Sequence, residues 1–564
     1  MLIKEGFFIQ FIKLAGPFWN SENQVAIRLN TVFLIGLTVL QIVMAVVTTQ
    51  WNADLFDAIE EHSMSGIVAQ MGMLAVIFIG SITVTTTHLI VKRKLLIGWR
   101  VWLTDKVVSK WMYKGRYYQI TFMSKDNHDN PDGRIAEDIR IATEDAIELG
   151  HSLFYSVLLL GSFTEILWTL SGTININLGL FPFTMAGYMV WIAIVYAVCA
   201  SILGWWMGKP LTAATNARQS KEANYRSGLI KAQEHAQAIA IIHGENDEQK
   251  QFKYSFGDII NTYALQTAAW KQIVVFTSGY SVTSMGLPIL VAAPRYIVGT
   301  ITLGTLMQSV QAFQQMVAAL SWPVNNLAGL ASWRASVERV LSLVKALDDL
   351  ENDISCRKPH QLCVVKGQKS VLKIENVSIT GMEGQVLSAN INEEIRAGEK
   401  VQIIGRISTA IKLFHAIADL WPWGTGRILV PEGEDMFFMP PKPYLPDGTL
   451  YDAICYPKKH EPFDRELIKQ LLKLAKLEDL VHDLDRVDDW DQHLPLGHQQ
   501  ILGCIRVVLH KPKWLFIEEA FNALRADAEL QILELLAKEL PDTAIIGITR
   551  QATAEAFYQR KLKV

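Results

Sequence analysis

Charge is scarce in this chain and unevenly placed. Asp, Glu, Lys and Arg make up 19% of the residues against 50% hydrophobic ones. Four stretches (29–50, 66–91, 272–294 and 296–333) contain none of the four. A bilayer is crossed by about 20 apolar residues, so this pattern excludes a wholly soluble chain and indicates a membrane region joined to a more ordinary one. The net charge of −3 gives no basis for nucleic-acid binding. Cysteine is also sparse: Cys199, Cys356, Cys363, Cys455 and Cys504 show no metal-ligand spacing, so no metal site is expected. Four of the five lie in the polar C-terminal half and read as reduced thiols of a cytosolic domain. The N-terminal stretch lacks a cleavage-site pattern, which argues against a removed signal peptide. Its Phe7, Phe8, Phe11, Ile12 and Phe18, interleaved with Lys4 and Lys13, suit either an interfacial helix or an ordinary amphipathic one.

What is present is a sequence of six spans and then a change of texture. The run 166–208 is too long for one helix and has a turn-rich middle (SGTININLGLFPF), so it divides into the end of a third span, a short loop and a fourth span. Spans are expected near 29–50, 66–91, 151–171, 185–207, 272–294 and 299–322, within a membrane domain covering 1–345. Lys4, Lys13 and Arg28 precede span one, and Lys92, Arg93, Lys94 and Arg100 follow span two. The first outer loop (51–65) has no Lys or Arg but carries Asp54, Asp57, Glu60 and Glu61. By the positive-inside rule both termini are cytoplasmic. The charged, helix-like segments 92–150 and 209–270 suit spans that extend well into the cytoplasm. A linker is expected at 346–368, and a second domain over 369–564.

That second domain contains a strand (Val401–Ile404), Gly405 and an amphipathic helix. This is the frame of a phosphate-binding loop, G-x-x-x-x-G-K-[ST]. The second glycine lets backbone N–H groups close on phosphate, the lysine pairs with the β/γ-phosphates, and the hydroxyl binds Mg²⁺. Counted from Gly405, those places hold Ala410, Ile411 and Lys412. Sliding the register to use Lys412 puts Leu413 where the hydroxyl belongs.

The arrangement resembles a half-size ABC transporter with an exporter-type membrane fold. The membrane half is similar to the SbmA/BacA-like family and its ATPase-fused relatives, which take up peptides or cobalamin in bacteria. The wording that carries the resemblance is Asn130-Pro-Asp132-Gly-Arg134-Ile-Ala-Glu137-Asp138, then Glu222-Ala-Asn-Tyr-Arg226, then 420–428 (LWPWGTGRI), 443–450 (PYLPDGTL) and 511–520 (KPKWLFIEEA). It implies an α-helical polytopic membrane domain, six transmembrane helices extended into the cytoplasm, plus an α/β P-loop-type nucleotide-binding domain. It also implies ATP and Mg²⁺ as cofactors, and here the residues argue otherwise. Pro441 stands at the Q-loop glutamine and Pro495 at the signature serine, leaving Gly497. Glu518 replaces the metal-side Asp, Arg525 ends the D-loop, and Thr549 stands at the switch histidine. No aromatic between Val371 and Lys412 is placed to stack on adenine. Gly405, Lys412, Glu518 and Gly497 remain as nucleotide-binding remnants, and Glu519 as the remnant of the catalytic base. Phosphoryl transfer rests on positioning and electrostatics, so an inactive or very weak ATPase is expected.

In the membrane half Glu165 lies within a span, where a carboxylate usually faces a partner or a wet cavity. Gln308, Gln311 and Gln315 form one helical stripe, read as a polar pathway or as helix–helix glue. Glu222 and Arg226 would share a helix face as a structural ion pair. The resulting expectation is a multi-pass inner-membrane transporter subunit, most simply a homodimer, importing a polar or peptide solute and contacting lipid but not nucleic acid. Two alternatives stand beside it: the degenerate half of a heterodimer with a competent ABC subunit, and a non-transporting scaffold or regulator.

Overall fold

The computed structural model describes residues 6–122, 130–178, 181–354, 361–381, 385–457, 462–549 and 554–564. Compact packing divides the chain into two units, one of Met1–Lys106 with Asn130–Leu341, the other of Val107–Asp129 with Ser342–Val564.

The first unit is helical. A short helix α1 (Phe7–Ala15) leads into α2 (Gln24–Glu60), α3 (Met64–Met112), α4 (Ile139–Ser171), α5 (Tyr188–Glu234) and α6 (Glu245–Ile297). After these come α7 (Leu303–Leu320) and α8 (Leu327–Ile354). Among the described residues five helices, α2 to α6, are long and apolar enough to cross a membrane. The sixth expected span falls on α7, whose four glutamines lower its hydropathy. Burial explains why that is tolerated. Leu306, Val310, Ala312, Phe313, Met316 and Val317 are all buried against α2, α4 and α5. By contrast only 6% of the most apolar windows of α3 and α6 is buried inside the chain. An amphipathic helix belongs inside a bundle, and one that is apolar all round belongs against lipid or another subunit. Helix α1 also packs on this unit, Phe7 and Phe11 standing edge-on to Trp333 at 5.6 and 5.1 Å while Phe8 and Ile12 stay exposed.

Between the third and fourth spans the structure has strands β1 (Thr173–Leu178) and β2 (Phe181–Ala186) paired antiparallel, where a short loop was expected. The alternation Thr-Ile-Asn-Ile-Asn-Leu has the two-residue period of a strand, which the turn-forming residues around it mask.

The second unit is α/β. Strands β3 (Leu362–Gly367), β4 (Val371–Thr380), β5 (Val386–Arg396) and β7 (Gly424–Pro431) form one sheet in the order β3-β7-β4-β5. Strands β6 (Lys400–Ile404), β8 (Met436–Met439), β9 (Trp514–Glu518), β10 (Ala544–Ile548) and β11 (Arg560–Lys563) form a parallel sheet ordered β11-β6-β10-β9-β8. The near-continuous apolar strands β9 and β10 are buried, as a sheet covered on both faces requires. Helices α9 (Ile407–Ile417), α10 (Leu496–His510) and α11 (Ala526–Glu539) pack around it. The stretch expected as linker holds the end of α8 and all of β3; its residues 355–360, with Cys356 and Pro359, lie outside the described residues.

Candidate functional site: a phosphate-loop frame occupied by the fold itself

The strand–glycine–helix frame is present, but only Gly405 and Arg406 separate β6 from α9. The residues that would wrap a phosphate are wound into the helix. Thr409 and Ala410 give their backbone N–H groups to the Arg406 carbonyl at 2.8 and 3.0 Å, and both side chains are buried. A phosphate cradle needs those N–H groups turned outward. Gly405 has φ of +140°, and a Cβ there would collide with the carbonyl of Val564. Val564 follows β11 and donates its N–H to the Ile404 carbonyl at 2.9 Å. Lys412 lies on the second turn of α9 with its ammonium 5.1 Å from the centre of the Trp421 ring, a cation–π contact that uses the group elsewhere.

Glu518, at the end of β9, faces His415 of α9 with Oε2 3.4 Å from Nε2. His415 Nδ1 lies 3.3 Å from the Tyr118 hydroxyl. Burial and the Glu518 carboxylate both raise the pKa of that phenol. The carboxylate that would ligate a metal is therefore spent within a Glu–His–Tyr chain. Glu519 sits in left-handed backbone geometry (φ +44°), its N–H bonded to the Ile548 carbonyl at 3.0 Å. Pro495 caps α10 and places Gly497 in its first turn, against the Leu524 side chain. Gln500, fully buried, donates to the Pro441 carbonyl (2.8 Å) and to Asn522 Oδ1 (2.7 Å) and accepts from Ala523 N (3.2 Å). The Q-loop and D-loop positions are thus tied together by a side chain that sequence reasoning did not single out. Thr549, at the switch position, donates to Glu529 at 2.9 Å.

The segment 107–122 belongs to this unit. Phe122 stands edge-on to Trp421 and Trp423 at 5.4 and 6.2 Å, and Gln119 donates to the Asp419 carbonyl at 3.0 Å. Arg116 pairs with Glu351 at 3.0 Å.

In the membrane unit the expected site residues part company. Gln308 donates to Gln50 at 2.8 Å, and Gln311 accepts from Asn52 at 3.1 Å, both binding α7 to α2. Gln315 is half-buried and does not join them. Gln314, outside the expected stripe, lines a cavity of about 450 Å³ with Tyr280, Ser321 and Asn325. Glu165 is exposed on α4, less than two turns from the helix end. Glu222 pairs with Arg218 at 3.3 Å, whereas Arg226 is exposed. This corrects the expected Glu222–Arg226 pair: four residues in the other direction along α5 hold the nearer cation. In the first motif Asn130 adopts left-handed geometry before the turn that carries Asp132, and its carbonyl accepts from Arg134 N at 3.2 Å. Glu137 lies 4.0 Å from Arg140, and buried Asp138 accepts both arms of Arg339, Nε at 2.7 Å. A bidentate pair of this kind fixes orientation as well as charge.

Sequence reasoning also missed His88 and His151, which line a second membrane-unit cavity with rings 4.4 Å apart. The only signal was an imidazole inside each apolar span.

Comparison with known proteins fits this architecture. Residues 12–297 match the family model described as ABC transporter transmembrane region 2. An uncharacterized ABC transporter ATP-binding protein of Haemophilus influenzae is 28% identical over 98% of this chain and 91% of its own length. The inner membrane ABC transporter ATP-binding protein YddA of Escherichia coli is 27% identical over 96% and 95%. ABC transporter D family member 2, chloroplastic, of Arabidopsis thaliana is 23% identical over 98% and 86%. With the matched region spanning half the chain, five apolar helices and a parallel-sheet domain of the nucleotide-binding type behind them, the chain belongs to the ABC transporter transmembrane region 2 family, as a multi-pass membrane half-transporter.

Proposed function

We propose that this protein is the repeating subunit of a homodimeric transporter in a bacterial inner membrane, and that its ATPase-type domain serves as structure rather than as a motor. The observation that carries this reading is α9 starting at Ile407, which winds the phosphate-loop residues into a helix. The engagement of Lys412 by Trp421 and of Glu518 by His415 supports it. Mg²⁺ and ATP would each need a group that the fold already employs. Residual anion attraction at the start of α9 is compatible with weak nucleotide binding but supplies no catalytic lysine or hydroxyl.

With no hydrolysis, inward movement of a polar solute draws on an ion gradient. Peptides or a cobalamin-like compound are the solutes suggested by the SbmA/BacA resemblance. Gln308 and Gln311 contribute by holding α7 to α2, and Gln314 by lining a cavity. Two measurements test the reading together. Purified protein should release no phosphate from ATP beyond what its Glu519→Gln variant releases, and uptake into energised inner-membrane vesicles should collapse with a protonophore. Hydrolysis abolished by Glu519→Gln, or uptake that follows ATP without a gradient, would overturn it.

A further inference from the structure

Helices α2, α3 and α4 line an open-sided cavity of about 480 Å³, within the range of about 300–1,000 Å³ common for ligand pockets. His88 lies at its buried floor, and Thr85 and Leu89 at its exposed rim. Gln41, Thr85, His88, Lys92, His151 and Tyr155 supply its polar lining, and Met44, Ala45, Val84 and Leu89 its apolar lining. His88 is 5% exposed. Neither imidazole hydrogen-bonds to a described residue, and each leaves its Nε2 buried without a partner. A buried polar group left unsatisfied costs about 1–3 kcal/mol. Two adjacent ones call for a ligand or water to complete them.

The chemistry of the lining narrows what that ligand is. A neutral imidazole offers one N–H donor and one acceptor nitrogen, so the pair presents two of each. The cavity's charges cancel, because Lys92 and Glu148 lie 2.8 Å apart. An ammonium is no neighbour for a metal, and no group of three metal-ligating side chains occurs among the described residues. A carboxylate would satisfy the donors and leave the acceptors empty. A polyol would satisfy both and leave the methionine, valine and leucine surfaces against hydroxyls. An amide supplies a C=O acceptor and an N–H donor side by side, with apolar carbon between one amide and the next.

We propose that this cavity is a binding site for an uncharged, amide-bearing solute such as a short peptide segment, held by His88 and His151. The assignment rests on the transport reading above, of which it names the recognition site.

The test is equilibrium binding of radiolabelled acetyl-trialanine amide to the full-length protein in nanodiscs. Saturable binding is expected, weakened tenfold or more in His88→Leu and in His151→Leu. His88→Asn, which keeps a donor and an acceptor, should recover most of it. Unlabelled blocked peptide should compete, and butyrate and sorbitol should not. Absence of saturable binding, affinity in both leucine variants equal to that of the unaltered protein, or competition by sorbitol would overturn the proposal. Should either leucine variant fail to fold, the same peptide must slow diethyl pyrocarbonate modification of His88 and His151 in the unaltered protein; unchanged modification would sink the idea. The two readings fail differently. Loss of the transport reading leaves peptide binding intact without protonophore-sensitive uptake, and loss of this one leaves uptake intact in the leucine variants.

Discussion

Gln500, on α10, adds side-chain bonds to two loop segments, at Pro441 and at 522–523, that follow the paired strands β8 and β9. Its amide serves Pro441, Asn522 and Ala523 from a fully buried position. Replacing it with leucine removes three hydrogen bonds whose partners on the half-buried Pro441 and the exposed Asn522 and Ala523 stay within reach of water, so each counts for about 0.5–1.5 kcal/mol. Gln500→Leu should therefore lower stability by roughly 1–3 kcal/mol, read as a drop in the denaturation midpoint of the purified protein. Glu529 offers a test with pH. Burial raises its pKa, against the smaller opposing effect of the Thr549 hydroxyl. The fold thus favours the neutral acid. The stabilisation is present below the ordinary carboxyl pKa of about 4.3, and it is lost as pH rises through the raised native value. Glu529→Gln keeps an acceptor for Thr549 and removes the buried charge. Its melting temperature relative to the unaltered protein should climb between pH 5 and 8; a difference independent of pH would contradict the assignment.

At the scale of elements, α7 is held at its start by another helix. Leu303 and Gly304 donate their backbone N–H groups to Glu60 and Asp57 of α2, each at 2.8 Å. Carboxylates there complement the positive end of the helix dipole and satisfy orphan donors. A Cβ on Gly304 would collide with the Ala53 carbonyl and the Asp57 side chain. Gly304→Ala should separate α7 from α2, lower the melting temperature by several degrees and reduce yield of folded protein; Asp57→Asn should cost less, since the amide oxygen still accepts. Asp57 and Glu60 were expected in an outer loop over 51–65, whereas the structure continues α2 through Glu60; their capping of α7 was not legible, because that pairing joins residues over 240 apart. The fold class could be read because charge-free runs and buried apolar strands are local signals. The β1–β2 hairpin and the His88–His151 pair escaped for a related reason. Turn-forming residues obscured a two-residue period, and a search for Asp, Glu, Lys and Arg passes over histidine. In the candidate site the missing lysine, hydroxyl and serine were visible one by one. Where Lys412 and Glu518 had gone instead depended on Trp421 and His415, contacts that no spacing rule reveals.

At the scale of the whole molecule, a membrane unit with a polar cavity is joined to a domain that keeps the strands and helices of a nucleotide-binding fold. That domain retains a job in packing: Phe122 of its segment 107–122 sits in an aromatic pocket formed by Trp421 and Trp423. The early start of α9 has a consequence for the history of such a chain. Motif residues lost by substitution can return by substitution, but a loop absorbed into a helix cannot. A triple change, Ala410→Gly with Ile411→Lys and Lys412→Ser, would restore the letters of the motif on a helical turn whose N–H groups point along the axis. Glycine in that turn also costs about 1 kcal/mol, and the Lys412–Trp421 contact is lost. The triple variant should melt lower than its parent and hydrolyse no ATP, measured by phosphate release. Each return step is penalised before any activity rewards it, so the departure from the motor runs in one direction.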